Sequence, residues 1–183
     1  KNKCTLLNNK ETNLTKDMFR NSANYIPADS LLVFKNTRVI RGRILFRKET
    51  GAAIEILCLE PLAPFEYELS FGSKEPVEWK CIIGNLKKWK NGKIITTFNY
   101  NDKQYNLTAE RLRPEGEAWR VRFIWNCSLI SFGEVIEAAG HIPLPPYINR
   151  EDETDDITRY QTVESSIKGS VPAPPAGFHF KRR

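Results

Sequence analysis

The stretch VEWKCII, residues 77–83, places the polar residues Glu78 and Lys80 between apolar ones. Its apolar residues Val77, Trp79, Cys81 and Ile83 occupy every second position. Successive side chains of a β-strand point to opposite sides of the sheet, so this period of two predicts a strand with one buried and one solvent-facing side.

The same alternation recurs on both sides of this stretch. The further runs are Phe65, Tyr67, Leu69 and Phe71; Ile94, Thr96, Phe98 and Tyr100; Tyr105, Leu107 and Ala109; and Trp119, Val121, Phe123 and Trp125. Turn signals at Asn91-Gly92 and Asn101-Asp102 separate several of them. Short strands joined by such turns are typical of a small antiparallel barrel.

Beyond Trp125 the sequence pattern becomes helical. Ser131 followed three residues later by Glu134 is a capping box, which marks the start of a helix. Gly140 is placed to end that helix. A second helix is predicted near residues 155–164, where acidic residues favour the first turn.

The chain ahead of the barrel contains a short helical stretch near residues 16–23 and an apolar strand at residues 31–35. The predicted fold class is therefore mixed α+β. We expect a discontinuous α/β domain formed by residues 1–43 and 126–183, with a small antiparallel β-barrel domain of residues 44–125 inserted into it.

Composition and charge limit the class of protein. The chain has 183 residues, of which 40% are hydrophobic, enough to bury a sizeable core. No run approaches the roughly 18 consecutive apolar residues of a membrane span, and no secretory leader opens the chain. We therefore expect a soluble, cytoplasmic protein. The net charge of +6 is compatible with an acidic partner such as RNA.

The four cysteines, Cys4, Cys58, Cys81 and Cys127, are widely spaced. They form no CxxC pair, and no histidines cluster near them, so neither a zinc site nor a disulfide framework is indicated. Reduced, mostly buried thiols are expected.

Polar side chains follow the apolar run at residues 31–35. Asn36, Thr37 and Arg38 would lie at the end of this strand, where open α/β sheets bind ligands. An amide, a hydroxyl and a guanidinium together can hold an acidic or hydroxylated ligand. A polar turn with a surface arginine is the alternative.

A proline-rich segment lies in the C-terminal part of the chain. Pro143, Pro145 and Pro146 restrict the backbone, so this segment can present Tyr147 and Arg150 to a ligand at low entropic cost. The alternative is a covering segment with Tyr147 packed on the core.

His179 is the preferred titratable residue. It lies between two phenylalanines and two positions after Gly177. An unperturbed pKa of about 6.5 suits proton transfer at neutral pH. The alternative is a core histidine whose ring nitrogens are hydrogen-bonded.

A lysine-rich segment surrounds Trp89. Lys87, Lys88 and Lys90 flank its ring, a mixture of charge and aromatic surface that favours RNA contacts. A solvated hairpin tip explains the same residues.

Two blocks of this sequence resemble one known family. HIPLPPYINREDETDDITRYQTVESSIKGSVPAPPAGFHF, residues 141–180, is similar to the family patterns G-H-I-P-L-P-P-Y-I-x-R, D-x-x-R-Y-Q-T-V and G-S-V-A-A-P-T-A-G-L-H-F. DSLLVFKNTRVIRGRI, residues 29–44, is similar to G-D-L-L-V-F-N-D-T-R-V-I-P-A-R-L, and RKETG follows at residues 47–51. The chain thereby resembles the S-adenosylmethionine:tRNA ribosyltransferase-isomerase family, which acts in queuosine biosynthesis.

The resemblance implies transfer and isomerisation of the ribosyl group of S-adenosylmethionine onto a tRNA wobble base. S-adenosylmethionine is then a substrate, tRNA is the partner, and no metal or permanently bound cofactor is required. We expect His179, Arg38 and Thr37 to be catalytic. The expected substrate-binding residues are Asn36, Arg43, Tyr147, Arg150, Tyr160, Gln161, Thr162 and Gly177, and the expected RNA-binding residues are Lys87, Lys88, Trp89 and Lys90.

Several positions depart from the family pattern. Asn36 replaces an aspartate, Pro175 a threonine and Phe178 a leucine, while Glu164-Ser165 replaces Tyr-Ala and Arg41 a proline. A diverged, non-catalytic RNA-binding relative is therefore the alternative function, and a structural fragment is a third. The family continues through a second half after the histidine loop, so we expect this chain to be a fragment with little activity alone.

Overall fold

The computed structural model describes residues 3–8, 13–34, 36–48, 50–143, 161 and 167–170. In chain order the strands are β1 (Lys3–Asn8), β2 (Asn13–Met18), β3 (Thr37–Val39), β4 (Arg43–Arg47), β5 (Ala53–Ala63), β6 (Val77–Gly84), β7 (Lys93–Tyr100), β8 (Lys103–Glu115), β9 (Ala118–Trp125), β10 (Gly140–His141) and β11 (Ile167–Ser170). The α-helices are α1 (Tyr67–Gly72) and α2 (Phe132–Ala139), and 3₁₀ helices span Phe19–Tyr25 and Leu86–Lys88.

Seven of these strands form one antiparallel sheet in the order β10-β4-β5-β6-β9-β8-β7. Strands β4 and β7 approach each other although they are not hydrogen-bonded neighbours, so the sheet curls into a half-barrel. With its few helices, this architecture is compatible with the mixed α+β class.

The strands predicted from alternation form this sheet. In β6, Val77, Trp79 and Cys81 are fully buried, and β7, β8 and β9 follow the same rule. The turn between β7 and β8 has positive φ angles of 48° at Asn101 and 59° at Asp102, as a tight two-residue hairpin requires. These predictions are confirmed.

The strand predicted at residues 65–71 is wrong, because α1 occupies most of this segment. Tyr67 and Phe71 are four positions apart, and both rings contact Trp79 at centroid distances of 5.8 and 5.4 Å. Phe65 and Leu69, which should share that face of a strand, are 71% and 60% exposed. A spacing of four fits both periods, and packing on Trp79 selected the helical one.

Helix α2 confirms the predicted capping box. Glu134 accepts hydrogen bonds from the Ser131 backbone N–H at 2.7 Å and from its hydroxyl at 2.8 Å. The helix ends at Gly140 as predicted, but Gly140 has an extended φ of −95°. Gly140 therefore does not end the helix in the left-handed conformation that a glycine at this position suggested.

The hydrophobic core continues from the sheet into α2. Phe132 is fully buried and contacts the rings of Trp79, Phe123 and Trp125 at 5.5 to 5.7 Å. The Trp125 indole N–H also donates to the Ile130 carbonyl at 3.0 Å. Residues on both sides of the boundary predicted at residue 125 thus share one core.

The N-terminal predictions need correction. Residues 16–18 belong to β2, and the helical stretch is a 3₁₀ helix that starts at Phe19. Residues 31–34 form no strand and are exposed. The neighbouring strand is instead β3, which pairs in parallel with β11. The apolar side chains of residues 31–34 suggested a buried strand, but no other described residues pack over them closely enough to bury them.

Candidate functional site

Strand β3 carries two of the predicted site residues, Thr37 and Arg38, and its parallel partner β11 starts at Ile167. The side chain of Gln161 joins them to a third segment. Its amide oxygen accepts from the Val39 N–H at 2.9 Å, and its amide nitrogen donates to the Val39 carbonyl at 2.9 Å. The amide thus satisfies both backbone groups of Val39, as a neighbouring strand would.

This contact gives Gln161 a structural role that differs from the expected substrate contact. A primary amide presents an acceptor and a donor side by side, which matches the two backbone groups of one strand residue. Gln161 therefore holds the strand that contains Thr37 and Arg38.

The pleat of β3 separates the three polar residues predicted to act together. Val39 is buried and Arg38 is exposed, while Thr37 is half-buried. Since alternate residues face opposite sides of a strand, Thr37 lies on the side of Val39 and Arg38 lies on the other. Asn36 precedes the strand and is exposed. The Thr37 hydroxyl and the Arg38 guanidinium therefore do not face one ligand from the same side of β3.

The Thr37 hydroxyl is directed to the covered side. Its oxygen is buried and has no hydrogen-bond partner within the described part of the chain. Desolvating a hydroxyl without a partner costs free energy, so this oxygen is a ready acceptor or donor for a group that approaches β3.

Arg43, another predicted substrate contact, forms an ion pair. Its guanidinium contacts both carboxylate oxygens of Glu55, with Nε at 2.9 Å and a terminal nitrogen at 3.0 Å. This fork-like geometry engages the charge of Arg43 on the surface of the main sheet. Arg41 instead donates to the Glu137 carbonyl at 3.0 Å, which ties the segment after β3 to α2.

The lysine-rich segment keeps its charges exposed but not its ring. Lys87, Lys88 and Lys90 are exposed, whereas Trp89 is fully buried and donates its indole N–H to the Gly92 carbonyl at 3.0 Å. With its ring buried, Trp89 has no exposed face for stacking on an RNA base. Its ring belongs to the hydrophobic core, although the lysines around it in the sequence suggested an exposed position.

A cavity of about 480 Å³ lies between α1, α2 and the end of β7. The Tyr100 hydroxyl donates to Glu134 at 2.6 Å in its wall, and this bond, together with those from Ser131, lowers the pKa of Glu134 to about 2. So weak a base is unsuited to removing protons at neutral pH. The sequence signalled Glu134 only as a helix cap, and nothing in it paired Tyr100 with that carboxylate.

The remaining predicted site residues lie outside the described residues. They are His179, Gly177, Tyr147, Arg150, Tyr160 and Thr162. Among the described residues, no three His, Cys, Asp or Glu side chains are grouped to hold a metal ion. In the same part of the chain, no helix has the length and apolar character needed to cross a membrane.

Comparisons with known proteins confirm the resemblance. Residues 1–183 match the family described as queuosine biosynthesis protein. A protein of Citrifermentans bemidjiense named S-adenosylmethionine:tRNA ribosyltransferase-isomerase is 38% identical over 159 residues, which cover 87% of this chain and 41% of that protein. Proteins of the same name from Aquifex aeolicus and Treponema denticola are 33% and 31% identical, each over 96% of this chain and 46% of their own length.

The chain spans less than half the length of these curated relatives. No solved structure matches it significantly. The family match nevertheless covers the described sheet, both α-helices and the β3–β11 pair, and on that basis the chain belongs to the queuosine biosynthesis protein family.

Proposed function

We propose that the full-length protein transfers and isomerises the ribosyl moiety of S-adenosylmethionine onto 7-aminomethyl-7-deazaguanine at the tRNA wobble position. The products are epoxyqueuosine in tRNA, adenine and methionine. One observation carries this proposal beyond the family match. The two blocks that resemble the family meet in space, because Gln161 of the second block binds Val39 of the first with both amide atoms.

The chemistry follows from the sulfonium group of the substrate. The positive sulfur acidifies its neighbouring methylene, so a base can remove a proton there. The resulting ylide opens the sugar ring by breaking its C4′–O4′ bond, and the freed oxygen forms a carbonyl at C1′ while adenine leaves with the electron pair of its bond to C1′ and takes up a proton. The amine of the wobble base then adds to C4′ and loses a proton. The regenerated ylide carbon C5′ adds to the C1′ carbonyl and closes the five-membered carbocycle. The new alkoxide displaces methionine, which leaves with the electron pair of the carbon–sulfur bond, and the epoxide is formed. The overall reaction is redox-neutral and consumes no further reactant.

Arg38 and Asn36 are proposed to bind substrate from the exposed side of β3. A guanidinium can hold a carboxylate or phosphate through paired hydrogen bonds, and both groups occur in the proposed substrates. Thr37, on the covered side, is proposed to act through its unpaired hydroxyl. Gln161 holds the strand that contains Thr37 and Arg38.

His179 is proposed as the group that moves the proton. An imidazole titrates near neutral pH and is the most common general base in enzymes. Tyr147, Arg150, Tyr160, Thr162 and Gly177 are proposed to complete the substrate pocket on the strength of the family pattern.

The tRNA partner is proposed to expose its wobble base to this site. Bases of single-stranded loops can be splayed out and stacked by protein side chains. The division into a discontinuous α/β domain and an inserted barrel also remains a proposal, supported by the pairing of β3 with β11 across the intervening sheet.

The test is adenine release by the full-length gene product with S-adenosylmethionine and tRNA that carries the aminomethyl-deazaguanine base. Transfer RNA without that base is the control. Base-dependent release supports the proposal and shows that Asn36 tolerates its departure from the family pattern. Absence of release from a folded protein that binds tRNA refutes it and identifies a diverged RNA-binding relative.

Variants at β3 test the site itself. Arg38→Ala should lower adenine release about tenfold or more, as expected for loss of a charged hydrogen bond. Arg20→Ala removes an exposed arginine on the 3₁₀ helix at residues 19–25 and should leave release unchanged. Equal rates for the two variants would remove Arg38 from the site.

A further inference from the structure

The charges of the main sheet are distributed unevenly. On its solvent-facing side, Glu78 binds both Arg120 and Arg122, and Lys80 binds Glu60 at 2.8 Å. Burial opposes ionisation of Glu78, but the hydrogen bonds from the two arginines outweigh it and lower its pKa. This side therefore carries mostly paired charges.

The loop that connects β6 to β7 is different. Lys87, Lys88 and Lys90 are exposed there, and Arg111 lies beside them, with a terminal guanidinium nitrogen bonded to the Lys90 carbonyl. No carboxylate among the described residues forms an ion pair with any of these four cations. We call these four residues the basic end.

The side chains of Trp89, Asn85 and Lys48 hold the backbone of the basic end in place. Trp89 is buried, and Asn85 adopts a left-handed φ of 56° while its amide donates to the Ala53 carbonyl at 3.1 Å. Lys48 donates to the Lys88 carbonyl at 3.1 Å. Since the loop is already ordered, a ligand that binds its lysines does not have to order this backbone.

Arg111 has a stacked guanidinium. Its central carbon lies 4.4 Å from the centre of the Trp119 ring and 5.8 Å from that of Trp89. The Trp119 ring is half-buried. A guanidinium held over an aromatic ring presents a planar cation, a group on which proteins stack unpaired RNA bases and with which they bind phosphates.

We propose that the basic end binds the RNA partner, with Arg111 supported by Trp119 as its stacking group and the three lysines as its phosphate contacts. This inference rests on the proposed function for the identity of the RNA. It assigns the stacking role to Arg111 and gives Trp89 the role of a buried support. Binding at this end depends on backbone charge and on any unpaired base, so it carries little sequence specificity.

The first experiment measures binding of the 183-residue chain to fluorescently labelled unmodified tRNA by anisotropy over a range of KCl concentrations. The test variant is Lys87→Ala/Lys88→Ala/Lys90→Ala. The control, Lys16→Ala/Lys74→Ala/Lys103→Ala, removes the same charge at exposed positions elsewhere. Each lysine–phosphate contact with a single strand releases about 0.7 counterions. Loss of three such contacts should therefore reduce the slope of log K against log KCl concentration by about 2 and weaken binding on the order of 100-fold at 0.1 M salt.

The second experiment separates stacking from charge. Arg111→Lys keeps the cation but loses the planar group, so it should weaken binding by about fivefold or more with an unchanged salt slope. Thermal unfolding of each variant confirms that it is folded. Should Arg111→Lys unfold, the lysine variant still decides the matter, because its three side chains are exposed.

The proposal is overturned if the parent chain does not bind tRNA, or if the test and control lysine variants lose the same affinity, including none. Adenine release by the full-length protein reports the proposed function separately. Base-dependent release with the same tRNA KM in the parent and the lysine variant would leave the function intact and remove the basic end from RNA binding.

Discussion

Gly140 connects α2 to β10, and its replacement by alanine should destabilise the protein strongly. A Cβ at this position would lie 1.9 Å from the Arg41 carbonyl oxygen and 2.5 Å from that of Ile136. Both are backbone atoms, so no side chain can turn away to make room. The Arg41 backbone would have to move by about 1.5 Å to reach ordinary contact distance, which is a large displacement in a packed core.

The size of the effect can be worked from these contacts. Overpacking of a core typically costs about 1–3 kcal/mol, and loosening the short β10–β4 pairing removes hydrogen bonds worth about 0.5–1.5 kcal/mol each. The lower chain entropy of unfolded alanine offsets about 0.4–1 kcal/mol. A net loss of about 3 kcal/mol corresponds to a decrease in Tm of about 6–12 °C for a protein of this size.

Two other glycines provide matched controls. A Cβ at Gly72 in α1 would meet no atom within 4 Å, whereas one at Gly133 in α2 would lie 3.1 Å from the Phe71 carbonyl oxygen. Gly72→Ala should therefore leave Tm unchanged or raise it slightly, because alanine favours helices, and Gly133→Ala should fall between the two extremes.

The assay is thermal unfolding of the parent and the three variants by far-ultraviolet circular dichroism. We expect Gly72→Ala to have the highest Tm of the three variants, Gly133→Ala an intermediate one and Gly140→Ala the lowest. If Gly140→Ala unfolded within about 2 °C of Gly72→Ala, less than 1 kcal/mol would separate them. The close approach of Arg41 to Gly140 would then not be a constraint on the fold.

Three further predictions concern single side chains. Glu134→Gln keeps an acceptor for the capping box but removes the negative charge that strengthens the hydrogen bonds from Tyr100 and Ser131, so it should cost about 1 kcal/mol at neutral pH. Because folding lowers the Glu134 pKa from 4.5 to about 2, this difference is present above about pH 4.5 and should vanish as the pH falls towards 2, as urea unfolding at several pH values would show. Ser70→Ala leaves the buried indole N–H of Trp79, which now donates to Ser70 at 2.9 Å, without a partner. It should cost about 1–3 kcal/mol in urea unfolding, and an unchanged midpoint would contradict this. Burial raises the pKa of the Cys81 thiol, so iodoacetamide should label Cys127 but not Cys81 in the folded chain; mass spectrometry showing equal labelling would disprove the prediction.

Strands whose side chains alternate over a whole run were predictable from local sequence. In β9, Val121, Phe123 and Trp125 are buried as their spacing indicates, and the hairpin at Asn101-Asp102 forms where its residues tolerate positive φ angles. The capping box at Ser131 is equally local. These features depend on interactions between residues that are close together in the chain, and such residues can be read directly from the sequence.

Features that depend on distant partners were missed or misread. The run at residues 65–71 became a helix because Trp79 offered a surface that Tyr67 and Phe71 can cover together. Trp89 lies among lysines in the sequence but is buried, because its ring packs with the residues of the hydrophobic core.

The candidate site divides in the same way. The sequence by itself determined which residue types are available at β3 and, through the resemblance, the family to which the chain belongs. Only the tertiary structure decided that Arg38 and Thr37 face opposite sides of one strand and that Gln161, distant in sequence, binds Val39. The physical reason is that a side chain's direction and partners are set by the pleat and pairing of its strand, and those are fixed by packing between segments that lie far apart in the chain.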